Sequence, residues 1–118
     1  MYEEVKDFAY ALCVKANEQL PKFTSMERSL AKRGNKNIYL DYLQNSRGQT
    51  IASVYSLRPK PGATVSTPLQ WSEVKTGLKL SGFNIHTVPE RINKVGDIFS
   101  GVLKKGIDLK KCMDKLAG

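Results

Sequence analysis

The sequence is short of most residues that make chemistry easy to locate. It holds one histidine, His86, and two cysteines, Cys13 and Cys112, far apart in helix-like stretches. That excludes a disulfide framework and a Cys/His metal cluster, and it suits a reduced, cytoplasmic protein. No two acids stand as D-x-D, and neither G-x-x-x-x-G-K nor G-x-S-x-G occurs. A phosphate-cradling glycine loop and a serine nucleophile elbow are therefore not announced. Internal repeats and low-complexity tracts are missing too. No apolar run approaches the roughly 20 residues that a membrane-crossing helix needs. The opening "MYEEVKDF" starts acidic and turns helical, unlike a signal peptide.

What is present is globular. Hydrophobic residues make up 41% and charged residues 25%, with nine glycines and five prolines spread through 118 positions. That length suits one domain, residues 1–118. Nineteen Lys and Arg against eleven Asp and Glu leave a net charge of +8. A domain this basic often meets a polyanion, usually nucleic acid, because neutralised phosphates release counterions. A solvated basic surface is the plainer alternative.

Periodicity outlines the elements. Val5, Phe8, Ala9, Leu12, Ala16 and Leu20 recur at helical spacing, so residues 2–20 read as an amphipathic helix ended by Pro21. Thr24 to Glu27 offer a cap for a short helix to about Ala31. After the basic loop "KRGNK", alternation from Ile38 to Leu43 reads as a strand. "QNSRGQ" is a turn, and a second, antiparallel strand runs from about Thr50 to Leu57. The proline-broken 58–68 is a loop with an extended piece near Thr64 to Ser66. A short helix begins at Ser72, and "FNIHTV" is an edge strand or extended connector. Pro89 opens a helix to about Val95. Helical pieces at Ile98 to Lys105 and Leu109 to Leu116 follow. The class is α+β: an antiparallel strand pair packed by an N-terminal helix and C-terminal helices.

Asp41 stands out, a carboxylate in the middle of an apolar strand. A charge taken from water must be paired, bound to a metal or neutralised. Asp41 either faces solvent at an edge, beside a lysine such as Lys36, or serves as one ligand of a cation that handles phosphates. Arg58 follows the second strand, and a hairpin turning at Asn45 to Gly48 would bring it into a cleft with Asp41. There its guanidinium grips a phosphate or, more plainly, braces the prolyl loop. Gln44 and Asn45 stand at the turn, where they can bond a sugar or phosphate, and Asn45 also suits the turn itself. His86 is not read as catalytic. "KRGNK" beside Tyr39 and Tyr42 pairs charge with aromatics, as nucleic-acid surfaces do, or is ordinary solvated surface. Apolar side chains on both faces of the strand pair leave more than the helices cover, so a dimer or partner-bound state is expected.

In "IYLDYLQN", "YSLRPKPGATVSTPLQWSEV" and "GDIF" the sequence resembles one family. It is similar to the C-terminal half of the primase-like polymerase module of bacterial DNA ligase D, in the archaeo-eukaryotic primase superfamily. The resemblance runs from the first helix to about Leu103, with the motifs in order. It implies half of a primase-polymerase fold and a template-directed nucleotidyltransferase of non-homologous end joining. Such enzymes fill gaps and extend the ends of double-strand breaks on a primer-template, using NTPs or dNTPs with Mn²⁺ or Mg²⁺. Under it Asp41 is catalytic, as the third metal-binding carboxylate, and Arg58 holds the nucleotide's phosphates. Gln44 falls where the family carries Arg or Gln, and Asn45 on the family's Asn. The D-x-D pair, an active-site histidine and the grip on a 5′-phosphate belong to an N-terminal half that these residues do not contain. The expectation is therefore a chain inactive alone and completed by that half or by a homo-oligomer, with no membrane. The alternative is a non-catalytic nucleic-acid-binding module, or a truncated remnant.

Overall fold

The amphipathic spacing of the first twenty residues produces helix α1, Tyr2–Gln19, with Glu3 and Glu4 in its first turn. Acids there complement the helix dipole. The helix closes where Leu20 N donates to Ala16 O at 2.9 Å, and Pro21 prevents its continuation. The computed structural model describes all 118 residues. They form an α+β protein of four α-helices and one small two-stranded sheet. The chain divides into two compact units, Met1–Ile51 with Ile107–Gly118, and Ala52–Gly106.

In the first unit the segment after Pro21 is not helical at once. Thr24 is buried, its hydroxyl 2.9 Å from Leu20 O and 3.0 Å from Asn17 Oδ1. Anchored this way, Thr24–Ser25 is strand β1, and helix α2 begins only at Leu30–Arg33, with Ser29 as its N-cap residue. Gly34, at φ +75°, ends α2 in a left-handed conformation that a side chain would strain. Strand β2, Ile38–Tyr39, then pairs with β1 in parallel, Thr24 opposite Ile38 and Ser25 opposite Tyr39. The bonds are Ile38 N to Phe23 O at 2.8 Å and Leu40 N to Ser25 O at 2.9 Å.

This corrects the antiparallel pair expected from the sequence. The strand stops at Tyr39, and residues Leu43–Asn45 curl into a 3₁₀ turn. No strand forms over 50–57 to complete a hairpin. The alternation that suggested a longer strand is broken because the Asp41 side chain takes up backbone amides beyond it. The 3₁₀ turn packs on α1, where the Tyr10 and Tyr42 rings meet edge to face at 4.9 Å and 69°. Helix α4, Leu109–Ala117, also packs on α1. Asp108 caps it, accepting Lys111 N at 3.1 Å, and Lys15 Nζ donates to Leu116 O at 3.0 Å.

In the second unit three short extended segments lie side by side. The middle one, 63–66, is bonded on both sides: Tyr55 N to Ser66 O (2.7 Å), Arg58 N to Thr64 O (2.8 Å), Val65 N to Phe83 O (2.9 Å) and Ile85 N to Ala63 O (3.1 Å). Leu57 faces Val65 and Thr64 faces Asn84, both antiparallel. The ladder stays short because Pro59, Pro61 and Pro68 lack an N–H. Residues Trp71–Glu73 form a 3₁₀ turn, and helix α3 spans Thr87–Val95 with Pro89 in its first turn. Asn84 and Thr87 cap α3 reciprocally: Asn84 Oδ1 accepts His86 N (2.9 Å) and Thr87 N (3.2 Å), while Thr87 Oγ1 accepts Asn84 N (3.0 Å). The piece expected at 98–105 contracts to a 3₁₀ turn, Ser100–Leu103.

The first unit fully buries no apolar side chain, and the second buries only Val88, 4% exposed. No helix is long and apolar enough to cross a membrane.

Candidate nucleotide and metal ligands

Asp41 directly follows the β1–β2 ladder and precedes the 3₁₀ turn. Its Oδ1 accepts Leu43 N at 3.0 Å and Gln44 N at 3.4 Å, so the carboxylate closes an Asx-type turn. The side chain is exposed, lining with Arg28, Gln44, Ser46 and Gln49 a hollow of about 170 Å³. Its charge reaches inward. Burial, and after it the Asp41 carboxylate, pushes the Cys13 thiol and the Tyr39 phenol above their ordinary values.

Gln44 is exposed on the same turn. Asn45 is half-buried and donates through Nδ2 to Tyr42 O at 3.2 Å, so it holds the turn as its sequence position suggested. Asp41, Gln44 and Asn45 thus stand on one short structure, fixed to α1 through Tyr42. The basic loop is braced as well: Arg33 stacks over the Tyr39 ring, 4.7 Å from its centroid, and donates through Nη1 to Glu27 O at 2.7 Å.

Arg58 belongs to the second unit, at the end of the first extended segment. Its side chain, with Lys60, Thr64 and Ser66, lines a hollow of about 280 Å³ over Val65 and Phe83. Two cations and three hydroxyls, those of Thr64, Ser66 and Thr67, stand with no acid beside an apolar side that includes Leu78 and Leu80, and this suits a phosphate-bearing or other anionic group. The hairpin that was to deliver Arg58 to Asp41 does not form, so that route to a shared cleft is withdrawn. Sequence reasoning missed Lys60 and Arg28. Lys60 had a signal, a second cation two residues after Arg58 in "RPKP", whereas Arg28 becomes a neighbour of Asp41 only through the parallel strand pairing.

Mg²⁺ and Mn²⁺ take oxygen ligands, and the exposed Asp41 carboxylate is of the right kind. It is one ligand only, since nowhere do three His, Cys, Asp or Glu side chains gather as a metal site. The donor chemistry fits and the donor set is incomplete.

Residues 1–99 match the family model described as LigD, primase-polymerase domain. The chain is 39% identical over 95 residues to the bifunctional non-homologous end joining protein LigD of Bacillus subtilis, covering 80% of this chain and 15% of that protein. It is 33% identical over 98 residues to the multifunctional non-homologous end joining protein LigD of Pseudomonas aeruginosa, covering 80% of this chain and 11% of that protein. The chain therefore spans only 11–15% of the length of these curated relatives.

Proposed function

From the premise that this chain belongs to the LigD primase-polymerase domain family, we propose that it is part of a template-directed nucleotidyltransferase of bacterial non-homologous end joining. The observation that carries the proposal is the family match over residues 1–99, with the aspartate segment, "YSLRP", "VSTPLQWSE" and "GD" in family order. In this reading Asp41 fills one position around a divalent Mn²⁺ or Mg²⁺. Such an ion, once bound, neutralises charge on reacting phosphate oxygens.

The chain's own residues bind and orient. Arg58, helped by Lys60, grips the phosphates of an incoming NTP or dNTP. Gln44 contributes a neutral hydrogen bond, and Asn45 keeps the turn that carries Asp41 in shape. The +8 charge favours DNA ends and primer-template as the polyanion. The remaining acidic ligands come from outside these 118 residues. Alone, the chain incorporates no nucleotide, because one carboxylate does not hold the metal ions of such a centre.

The test is primer extension with the chain, with a polypeptide carrying the family's D-x-D half, and with both. Extension only in the mixture is expected. Metal-dependent extension by the chain alone, or none by a stably folded mixture, overturns the proposal.

A further inference from the structure

Arg58 lines its hollow with a guanidinium that no other side chain or carbonyl of the protein ties down, so its pose depends on the backbone that carries it. On one side Pro59 confines Arg58 to extended backbone, and Arg58 O accepts Lys60 N at 2.7 Å. On the other side the chain enters through a tight turn. There Ser53 O accepts Ser56 N at 3.2 Å and Ser56 Oγ at 2.6 Å. Tyr55 is the third residue of that turn and sits at φ +62°. Glycine or asparagine ordinarily fills such a position, because a side chain there costs about 1–2 kcal/mol.

The tyrosine has a use for its side chain that glycine lacks. Its hydroxyl donates to Asp97 Oδ1 at 2.7 Å, 42 residues away in sequence. Asp97 is itself fixed. Gly96 ends α3 at φ +74° with its N–H on Ile92 O at 2.8 Å, and Asp97 Oδ1 also accepts Phe99 N at 3.0 Å. Burial, and next the bond to Asp97, hold the Tyr55 phenol above its ordinary value, so it stays a donor through the neutral range. From Tyr55 the placement passes along the ladder to the wall of the hollow. The bonds are Tyr55 N to Ser66 O at 2.7 Å, Ser66 N to Ser56 O at 3.0 Å and Arg58 N to Thr64 O at 2.8 Å. A strained residue held by a specific side-chain bond is a device found where function needs one pose. Both residues lie in motifs that the nucleotide reading leaves without a task, Tyr55 in "YSLRP" and Asp97 in "GDIF".

We infer that Tyr55 and Asp97 are positioning residues, which hold segment 55–58 so that Arg58 presents its guanidinium to a triphosphate. This rests on the Arg58 grip of the reading above, and the test separates the two. Inorganic tripolyphosphate is titrated into the full chain by calorimetry, at a temperature where melts show every variant folded. Arg58→Ala should abolish binding. Tyr55→Phe and Asp97→Ala are expected to raise the dissociation constant about fivefold, the loss of one hydrogen bond. Asp97→Asn keeps an Oδ1 acceptor and should recover most of that loss. Val88→Ala weakens the packing of the same unit without touching the tether, and should leave the constant within about twofold of the parent.

Unchanged constants in Tyr55→Phe and Asp97→Ala, with binding still lost in Arg58→Ala, overturn the positioning role and leave the Arg58 grip standing. A rise of equal size in Val88→Ala reduces the pair to general stability and overturns the role as well. If tripolyphosphate does not bind the parent, or binds Arg58→Ala equally well, the grip itself falls and the inference falls with it.

Discussion

Arg91 holds Glu73 fork to fork, with Nη1 2.5 Å from Oε1 and Nη2 2.6 Å from Oε2. The same guanidinium donates to Pro68 O at 3.3 Å and lies 5.8 Å from the centre of the Phe83 ring. Glu73 Oε2 in turn accepts Gln70 N at 2.7 Å. One pair therefore ties α3 to the segment 68–73. In a unit with a single buried apolar side chain, such a polar clamp takes on part of the work of a core.

The clamp should make the second unit acid-labile. Arg91, and next the Gln70 amide, hold the Glu73 carboxyl below the usual range. A group with a lowered folded value binds fewer protons folded than unfolded. Its contribution is complete above the unfolded glutamate value, about 4.3, and is lost as pH falls through the folded value. Thermal melts from pH 7 to 3 should show a decline beginning near that value, and Glu73→Gln should flatten it. Arg91→Lys, which cannot form the fork, should already melt several degrees lower at pH 7. Parallel acid profiles for the parent and Glu73→Gln would refute this.

Backbone conformation gives a second set of expectations. Tyr55 at φ +62° and Ala63 at φ +47° are the two non-glycine residues in left-handed conformations. Ala63 has no bond that holds its side chain there, so Ala63→Gly should relieve strain of about 1–2 kcal/mol, partly offset by glycine's greater unfolded entropy. A net gain of up to about 1 kcal/mol is expected, and Gly62→Ala, at φ +88°, should lose a similar amount. Tyr55 differs, because its hydroxyl donates to Asp97 Oδ1 at 2.7 Å. Tyr55→Phe should therefore destabilise by about 1 kcal/mol. Urea midpoints at unchanged slope measure all three, and a destabilised Ala63→Gly would contradict the argument.

What the sequence revealed follows from how local each determinant is. Helices α1, α3 and α4 were legible because their apolar spacing and their boundary signals, Pro21, Pro89 and Gly96, lie within a few residues. The strand pairing was not. Thr24 and Ser25 look like a helix cap, and nothing near them says that Ile38 and Tyr39 will become their parallel partners. Asp41 carried a readable signal with two meanings. In an apolar alternation it reads as a strand residue, whereas an Asp two residues before an amide-donating turn reads as an Asx cap. The second meaning prevailed, because Oδ1 meets two backbone amides at once. The acid inside the apparent strand is thus explained without a buried charge. The roles proposed for Arg58 and Gln44 rest on the family resemblance, since neither makes a side-chain bond that fixes a purpose.

Asp41→Asn separates the turn from the charge. Asparagine keeps an Oδ1 that can accept the Leu43 and Gln44 amides, so the fold should be unchanged, whereas Asp41→Ala removes the acceptor and should cost about 1 kcal/mol. The lost charge can be read at Cys13. Burial is the larger cause of that thiol's raised pKa and the Asp41 carboxylate the lesser, so Asp41→Asn should lower it part of the way toward the ordinary range. In a Cys112→Ser background, the pH profile of Cys13 alkylation should shift to lower pH. In the complemented polymerase Asp41→Asn should abolish extension, while oligonucleotide affinity holds or rises as a negative charge leaves the phosphates. Extension that survives in Asp41→Asn, with the Cys13 profile shifted, would leave Asp41 as the turn's cap and remove it from catalysis.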